Sequence, residues 1–165
     1  MGCGMDRSAK AILLIVGLAI AMPAWPAGDQ IHGKVTSVID GDTMWIMIDS
    51  KKEKIRVYGI NAPERKDPCF MTARRFAEEM VEGKNVTLYY KGWDRFGSRL
   101  AFVLVGEEPD RKSLGLELVK NGLAIVYSTR FRPEYPDTFA RYQDAQRSAM
   151  SRRLCVWRSG SPDAK

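Results

Sequence analysis

Between His32 and Ile60 the apolar positions fall into three short runs separated by turn residues. His32–Ile39 (HGKVTSVI), Thr43–Ile48 (TMWIMI) and Lys54–Ile60 (KIRVYGI) are rich in β-branched residues and partly alternate, which predicts three strands. Asp40-Gly41-Asp42 and Asp49-Ser50-Lys51-Lys52 supply the turns of a meander. Asn61–Phe70 holds two prolines and reads as a loop. From Thr72 to Glu82 the period changes to that of a helix, with Ala73, Phe76, Ala77, Met80 and Val81 on one face. Strands return at Asn85–Tyr90 and Leu100–Val105, around a turn-rich loop at Lys91–Arg99. Ser113 is placed to cap a helix over Leu114–Lys120, stopped by Asn121-Gly122. A short apolar segment, Leu123–Tyr127, precedes a second long helix at Thr138–Arg152, striped by Phe139, Tyr142, Ala145 and Ala149. Five strands and about three packed helices make an α+β chain. The five-stranded OB-type β-barrel is the small closed solution for such strands, although periodicity alone does not select it over other α+β folds.

The N-terminus follows another pattern. Ala11–Met22 is an unbroken run of 12 apolar residues behind Arg7 and Lys10. A membrane-spanning helix needs about 20, so residues 1–27 read as a signal peptide, or as an N-terminal anchor if it is not cleaved. Residues 28–165 then form one domain. Export to the periplasm or beyond the cell follows, with membrane attachment only if the segment stays uncleaved. Cys69 and Cys155 would be the only cysteines of the exported part, in an oxidising compartment. A bridge between them would tie an early loop to the C-terminal segment; two unpaired thiols are the alternative.

Charge narrows the partners. The 26 Lys and Arg outnumber the 20 Asp and Glu, giving a net charge of +6 and favouring polyanions. Arg130, Arg132, Arg141, Arg147, Arg152 and Arg153 concentrate positive charge late in the chain. A single histidine, His32, excludes mechanisms needing a His pair, and three cysteines without a CxxC exclude a zinc finger.

Four polar segments carry candidate chemistry: Asp40-Gly41-Asp42-Thr43 at a strand turn, Arg56 among apolar strand residues, Asn61-Ala62-Pro63-Glu64 just beyond, and Asp94-Arg95-Phe96-Gly97-Ser98-Arg99 in a loop. Together they make a kit for phosphodiester cleavage without histidine. Oxygen ligands from Asp42 and the Asn61 region suit Ca²⁺. Arginines clamp phosphate oxygens and stabilise developing charge. Glu64 is placed to orient or deprotonate water.

These segments, with Asn121-Gly122-Leu123-Ala124 and Leu154-Cys155-Val156-Trp157, resemble the staphylococcal-nuclease-like (thermonuclease) family in order and spacing. The step of 14 residues from Asp42 to Arg56 and of 8 from Arg56 to Glu64 equals the family's. The resemblance implies an OB-type barrel and a Ca²⁺-dependent nuclease acting on DNA and RNA, with the 5′-oxygen leaving and a 3′-phosphate remaining. It makes Asp42, Asn61 and the Ala62 carbonyl metal ligands, Arg56, Glu64 and Arg99 catalytic, and Arg95 and Phe96 substrate contacts. Single-stranded or loosely paired nucleic acid is the implied partner; no obligate protein partner is called for, and a monomer suffices. A catalytically weakened OB-fold nucleic-acid-binding module is the alternative. It is motivated by two departures: Asn61 replaces an acidic metal ligand, and Ser98 stands where the family's second arginine follows the glycine. Arg99 comes one residue later, and one residue of slip along a strand reverses the face a side chain takes.

Overall fold

The structure, a computed structural model, describes residues 30–127 and 131–158. The proposed signal segment at 1–27 and Arg130 lie outside the described residues.

Five strands close a barrel. β1 (Gln30–Val38), β2 (Thr43–Ile48) and β3 (Lys51–Val57) form the expected meander. β1 also pairs antiparallel with β5 (Asn85–Trp93), and β5 pairs with β6 (Arg99–Val105). Closure comes from a parallel pairing of β3 with β6, in the register Ile55 with Arg99, Arg56 with Leu100 and Val57 with Ala101. This is the OB-type barrel. Met44, Ile46, Ile55, Val57, Ala101 and Val103 are fully buried and form the barrel interior, while Phe102 on the other face of β6 is covered by Phe131 and Tyr135.

Several boundaries differ from the sequence-based expectation. The β2–β3 turn is only Asp49-Ser50, both at positive φ (46° and 65°). That matches the twist of a two-residue hairpin, so Lys51 and Lys52 join β3 rather than the turn. The strand expected to run through Ile60 breaks at Gly59, whose φ of +83° favours glycine. A Cβ there would meet the Phe131 ring at 2.6 Å. Beyond the break, β4 (Ile60–Asn61) pairs with β8 (Ile125–Val126) in a separate two-stranded ribbon. β7 (Lys112–Ser113) extends the sheet beside β6.

Three helical segments match the expected ones to within two residues at each end: α1 (Phe70–Val81), α2 (Leu114–Lys120) and α4 (Pro136–Ser151). Ser113 Oγ accepts the Leu116 N–H, so the expected cap is formed. A short α3 (Phe131–Glu134) was not foreseen, because four residues are too few to show a period. Its Phe131 is buried and packs edge-on against Tyr58, Phe139 and Tyr142. Tyr142 itself is fully buried; burial pushes its phenol up to about 12, and its hydroxyl pairs with Ser113 Oγ at 2.7 Å. Phe139 and Tyr142 are core residues, as the helical stripe suggested; Trp157 is buried too, and Trp45 is half-buried.

Cys69, at the start of α1, forms a disulfide with Cys155. Cys155 opens a single 3-10 turn, Cys155–Trp157. The bridge fastens the Asn61–Phe70 loop to the C-terminal segment.

Candidate active site

The site is built on the outer face of the barrel wall, where β3 meets the β1–β2 turn and the loop after β4. Gly41 allows this close approach: a Cβ there would lie 2.9 Å from the Ala62 Cβ and 3.0 Å from the Ala73 Cβ. The turn therefore sits directly against the Ala62 loop and α1.

Asp42 is the centre. It is 2% exposed, and its carboxylate is held from three directions. Thr43 Oγ1 donates to Oδ1 at 2.8 Å, the Ala62 N–H donates to Oδ2 at 2.7 Å, and Arg56 Nη2 donates to Oδ2 at 3.1 Å. The same Arg56 nitrogen donates to Asn61 Oδ1 at 3.0 Å. Two of the expected ligand oxygens thus converge on one cationic group. Burial nevertheless dominates the Asp42 carboxyl and pushes it up to about 7, against the pull of Arg56 and the Ala62 and Thr43 hydrogen bonds; the nearby Asp40 charge adds to the rise. Such a carboxyl favours a further cation beside it. The oxygen donors here are the Asp42 carboxylate, the Asn61 amide and the Ala62 carbonyl, a set that suits a hard cation such as Ca²⁺. Among the described residues no cluster of three or more His, Cys, Asp or Glu offers another arrangement.

Glu64 lies two residues beyond Ala62 and is exposed. Its backbone is fixed: the Glu64 N–H donates to Asp67 Oδ2 at 2.6 Å, and the Asp67 N–H returns to the Glu64 carbonyl at 2.8 Å. Asp67 was not anticipated as a support; its only sequence signal is an Asp three residues after Glu64. Beside this loop opens a cleft of about 750 Å³ whose wall includes Asn61, Pro63, Phe76, Leu123 and the disulfide.

The hairpin between β5 and β6 presents Arg95 and Phe96 at its tip. Phe96 is 70% exposed, with the Arg95 guanidinium 4.8 Å from its ring centroid, so it does not fill the barrel mouth. The tip is organised by Asp94, the first residue of the polar Asp94–Arg99 segment. Its Oδ1 accepts the N–H groups of Phe96 and Ser98, both at 2.8 Å. Partial burial works to raise the Asp94 carboxyl, but these N–H donors and Arg56 prevail and hold it below the usual range.

Arg99 is not brought to Asp42 and Arg56. It opens β6 and pairs in register with the inward-facing Ile55, whereas Arg56 pairs with Leu100 on the outer face. Its contacts agree: Arg99 Nε lies 3.1 Å from Glu53 Oε2, and its guanidinium packs over Tyr90 and Trp93 at 4.5 and 4.8 Å from their ring centroids. The one-residue displacement in sequence has become a reversal of face. Ser98, at the position the family gives to arginine, is buried.

Comparison with known proteins identifies the family. The family model described as staphylococcal nuclease homologue matches residues 54–159. Protein ParB of Escherichia coli is 29% identical over 158 residues, covering 93% of this chain and 84% of that protein. An uncharacterized endonuclease of Escherichia coli is 34% identical over 113 residues, 68% of this chain and 72% of the relative. The thermonuclease of Staphylococcus intermedius is 30% identical over 131 residues, 74% of each chain. With the family model matched over most of the chain and a relative 34% identical over 68% of it, the chain belongs to the staphylococcal nuclease homologue family.

Proposed function

We propose that this chain is an exported, Ca²⁺-dependent nuclease that hydrolyses phosphodiester bonds in DNA and RNA with low sequence specificity and acts as a monomer. The chain is a hydrolytic nuclease of its family. The observation that carries the mechanism is the convergence of Asp42 and Asn61 on Arg56, with Glu64 two residues beyond Ala62.

Arg56 is aligned by Asp42 and Asn61, so its guanidinium meets a phosphate without first being ordered. It binds the phosphate oxygens and stabilises the charge that develops there. Glu64 holds water and takes its proton as the oxygen attacks phosphorus. The P–O5′ bond breaks, leaving a 3′-phosphate and a 5′-hydroxyl. Arg95 and Phe96 offer a cation and a ring to the neighbouring nucleotide. When bound by Asp42, Asn61 and the Ala62 carbonyl, Ca²⁺ supplies charge neutralisation and polarises oxygen. Export is supported by the apolar run behind Arg7 and Lys10 and by the Cys69–Cys155 disulfide, which is at home in an oxidising compartment.

The test is cleavage of single-stranded DNA and RNA oligomers by the full chain across a Ca²⁺ titration, with EDTA and Glu64→Gln as controls. Cleavage that requires Ca²⁺ and is lost in Glu64→Gln supports the proposal. The turned-away Arg99 and the neutral Asn61 favour one second reading, a binding module that has lost catalysis. Salt-sensitive binding with no cleavage at any Ca²⁺ concentration would establish that reading instead.

A further inference from the structure

The outer face of the barrel continues away from the Asp42–Arg56 site as a basic track. On β3 the side chains that share the Arg56 face are Lys54 and Lys52, because Ile55 and Val57 between and beyond them are buried in the core. Every second strand residue repeats at roughly 6.6–6.8 Å, a step close to that between neighbouring phosphates of an extended single strand. The register carries the face onto the next strands. Lys54 lies opposite Trp45 of β2, and Lys52 lies opposite Met47, which in turn lies opposite Lys34 of β1. Lys52 Nζ sits 5.2 Å from the Trp45 ring centroid, so aromatic and cationic groups interleave. Lys34 and Lys52 are exposed, and Lys54 and Trp45 are half-buried. The acidic residues of β1–β3 and their turns leave this face alone. Asp40 and Asp42 lie at the β1–β2 turn, Asp49 lies in the far turn, and Glu53 pairs in register with the buried Ile46 and reaches Arg99. No ion pair engages Lys34, Lys52 or Lys54 among the described residues.

We infer that Lys52, Lys54, Trp45 and Lys34 form an extended binding track for single-stranded nucleic acid, guiding the strand to and from the phosphate held at Arg56. The inference deepens the nuclease reading and rests on it for the position of the cut bond. Its contribution is electrostatic. Each phosphate contact on a single strand adds ~0.7 to the slope of log affinity against log salt. Losing the Lys52 and Lys54 contacts should therefore lower the slope by about 1.4, and weaken binding about 25-fold at ~0.1 M salt relative to a common limit near 1 M.

The experiment measures binding of fluorescein-labelled poly(dT) to the full chain by anisotropy, in a Glu64→Gln background that keeps the oligomer intact, between about 50 and 200 mM KCl. One oligomer exceeds the roughly 4–16 nucleotides an OB barrel covers, and the other has about three. Lys52→Gln/Lys54→Gln should lose the stated affinity and slope on the long oligomer and bind the short one unchanged. A charge-matched control, Lys112→Gln/Lys120→Gln on β7 and α2, should keep the wild-type slope. An unchanged slope in the first pair, or equal losses in both pairs, overturns the track. Cleavage by the wild-type chain is scored separately: a chain that does not cut but shows the slope change sinks the nuclease reading and keeps the track, and a chain that cuts but binds normally after Lys52→Gln/Lys54→Gln does the reverse.

Discussion

Raising the pH of the metal-free protein from 4 to 7 should destabilise it, and Asp42 is the reason. Its carboxyl rises from the ordinary carboxylate range to about 7 in the folded chain because it is buried. A carboxyl with a raised folded value contributes stability in its protonated form. That contribution is complete below the unfolded value and is lost as the pH climbs through the folded one. A shift of roughly 3 units is worth on the order of 4 kcal/mol, a large share of the 5–15 kcal/mol that holds a typical domain together. The window is well separated: Asp94, held below the usual range, contributes in the opposite sense and at lower pH. The assay is urea unfolding in EDTA at intervals from pH 4 to 7.5, beside Asp42→Asn, whose profile should be flatter across the same range. Ca²⁺ should restore stability at the upper end, because the cation needs the ionised carboxylate. Its affinity should fall about tenfold per pH unit below 7. Metal-free stability that rises between pH 5 and 7, or an Asp42→Asn profile as steep as wild type, would refute the reasoning.

Other outcomes follow from the same geometry. Glu64→Gln should leave stability within about 0.5 kcal/mol, since its side chain is exposed, while cutting cleavage by roughly 10²–10⁴-fold; denaturant midpoints and oligomer assays separate the two effects. Arg99→Ala should lower stability by about 1 kcal/mol through loss of its Tyr90, Trp93 and Glu53 contacts, yet leave kcat near wild type, the reverse of what a phosphate clamp would show. Asn61→Asp should lower the Ca²⁺ midpoint of cleavage by restoring a carboxylate beside Asp42, as read from activity against free Ca²⁺. Replacing both Cys69 and Cys155 by Ser should cost about 2–4 kcal/mol, measured by thermal or urea unfolding.

The strands and long helices were legible because their signals are local. Alternation in Thr43–Ile48 and the helical stripe from Ala73 to Val81 each report a face that must be buried, whatever it is buried against. The steps from Asp42 to Arg56 and from Arg56 to Glu64 marked the site through their match to the family's spacing, and the pairing of Thr43 with Arg56 in the meander brings Asp42 beside that arginine. What the sequence left open depended on neighbours distant along the chain. The fate of Arg99 was decided by the β3–β6 register, which pairs it with Ile55 and delivers it to Glu53. The disulfide needed Cys69 and Cys155 to meet across 86 positions, and no local pattern encodes that. The β4–β8 ribbon and α3 are too short to carry a period; the ribbon rests on the pairing of Ile60 with Val126, and Phe131 of α3 packs against Gly59. The raised Asp42 carboxyl likewise comes from its burial in the folded chain, which outweighs the pull of Arg56 and the Ala62 N–H. Local pattern determined which residues form elements and carry the chemistry. Long-range packing decided which of them face one another, because facing is a property of register and burial rather than of the residues themselves.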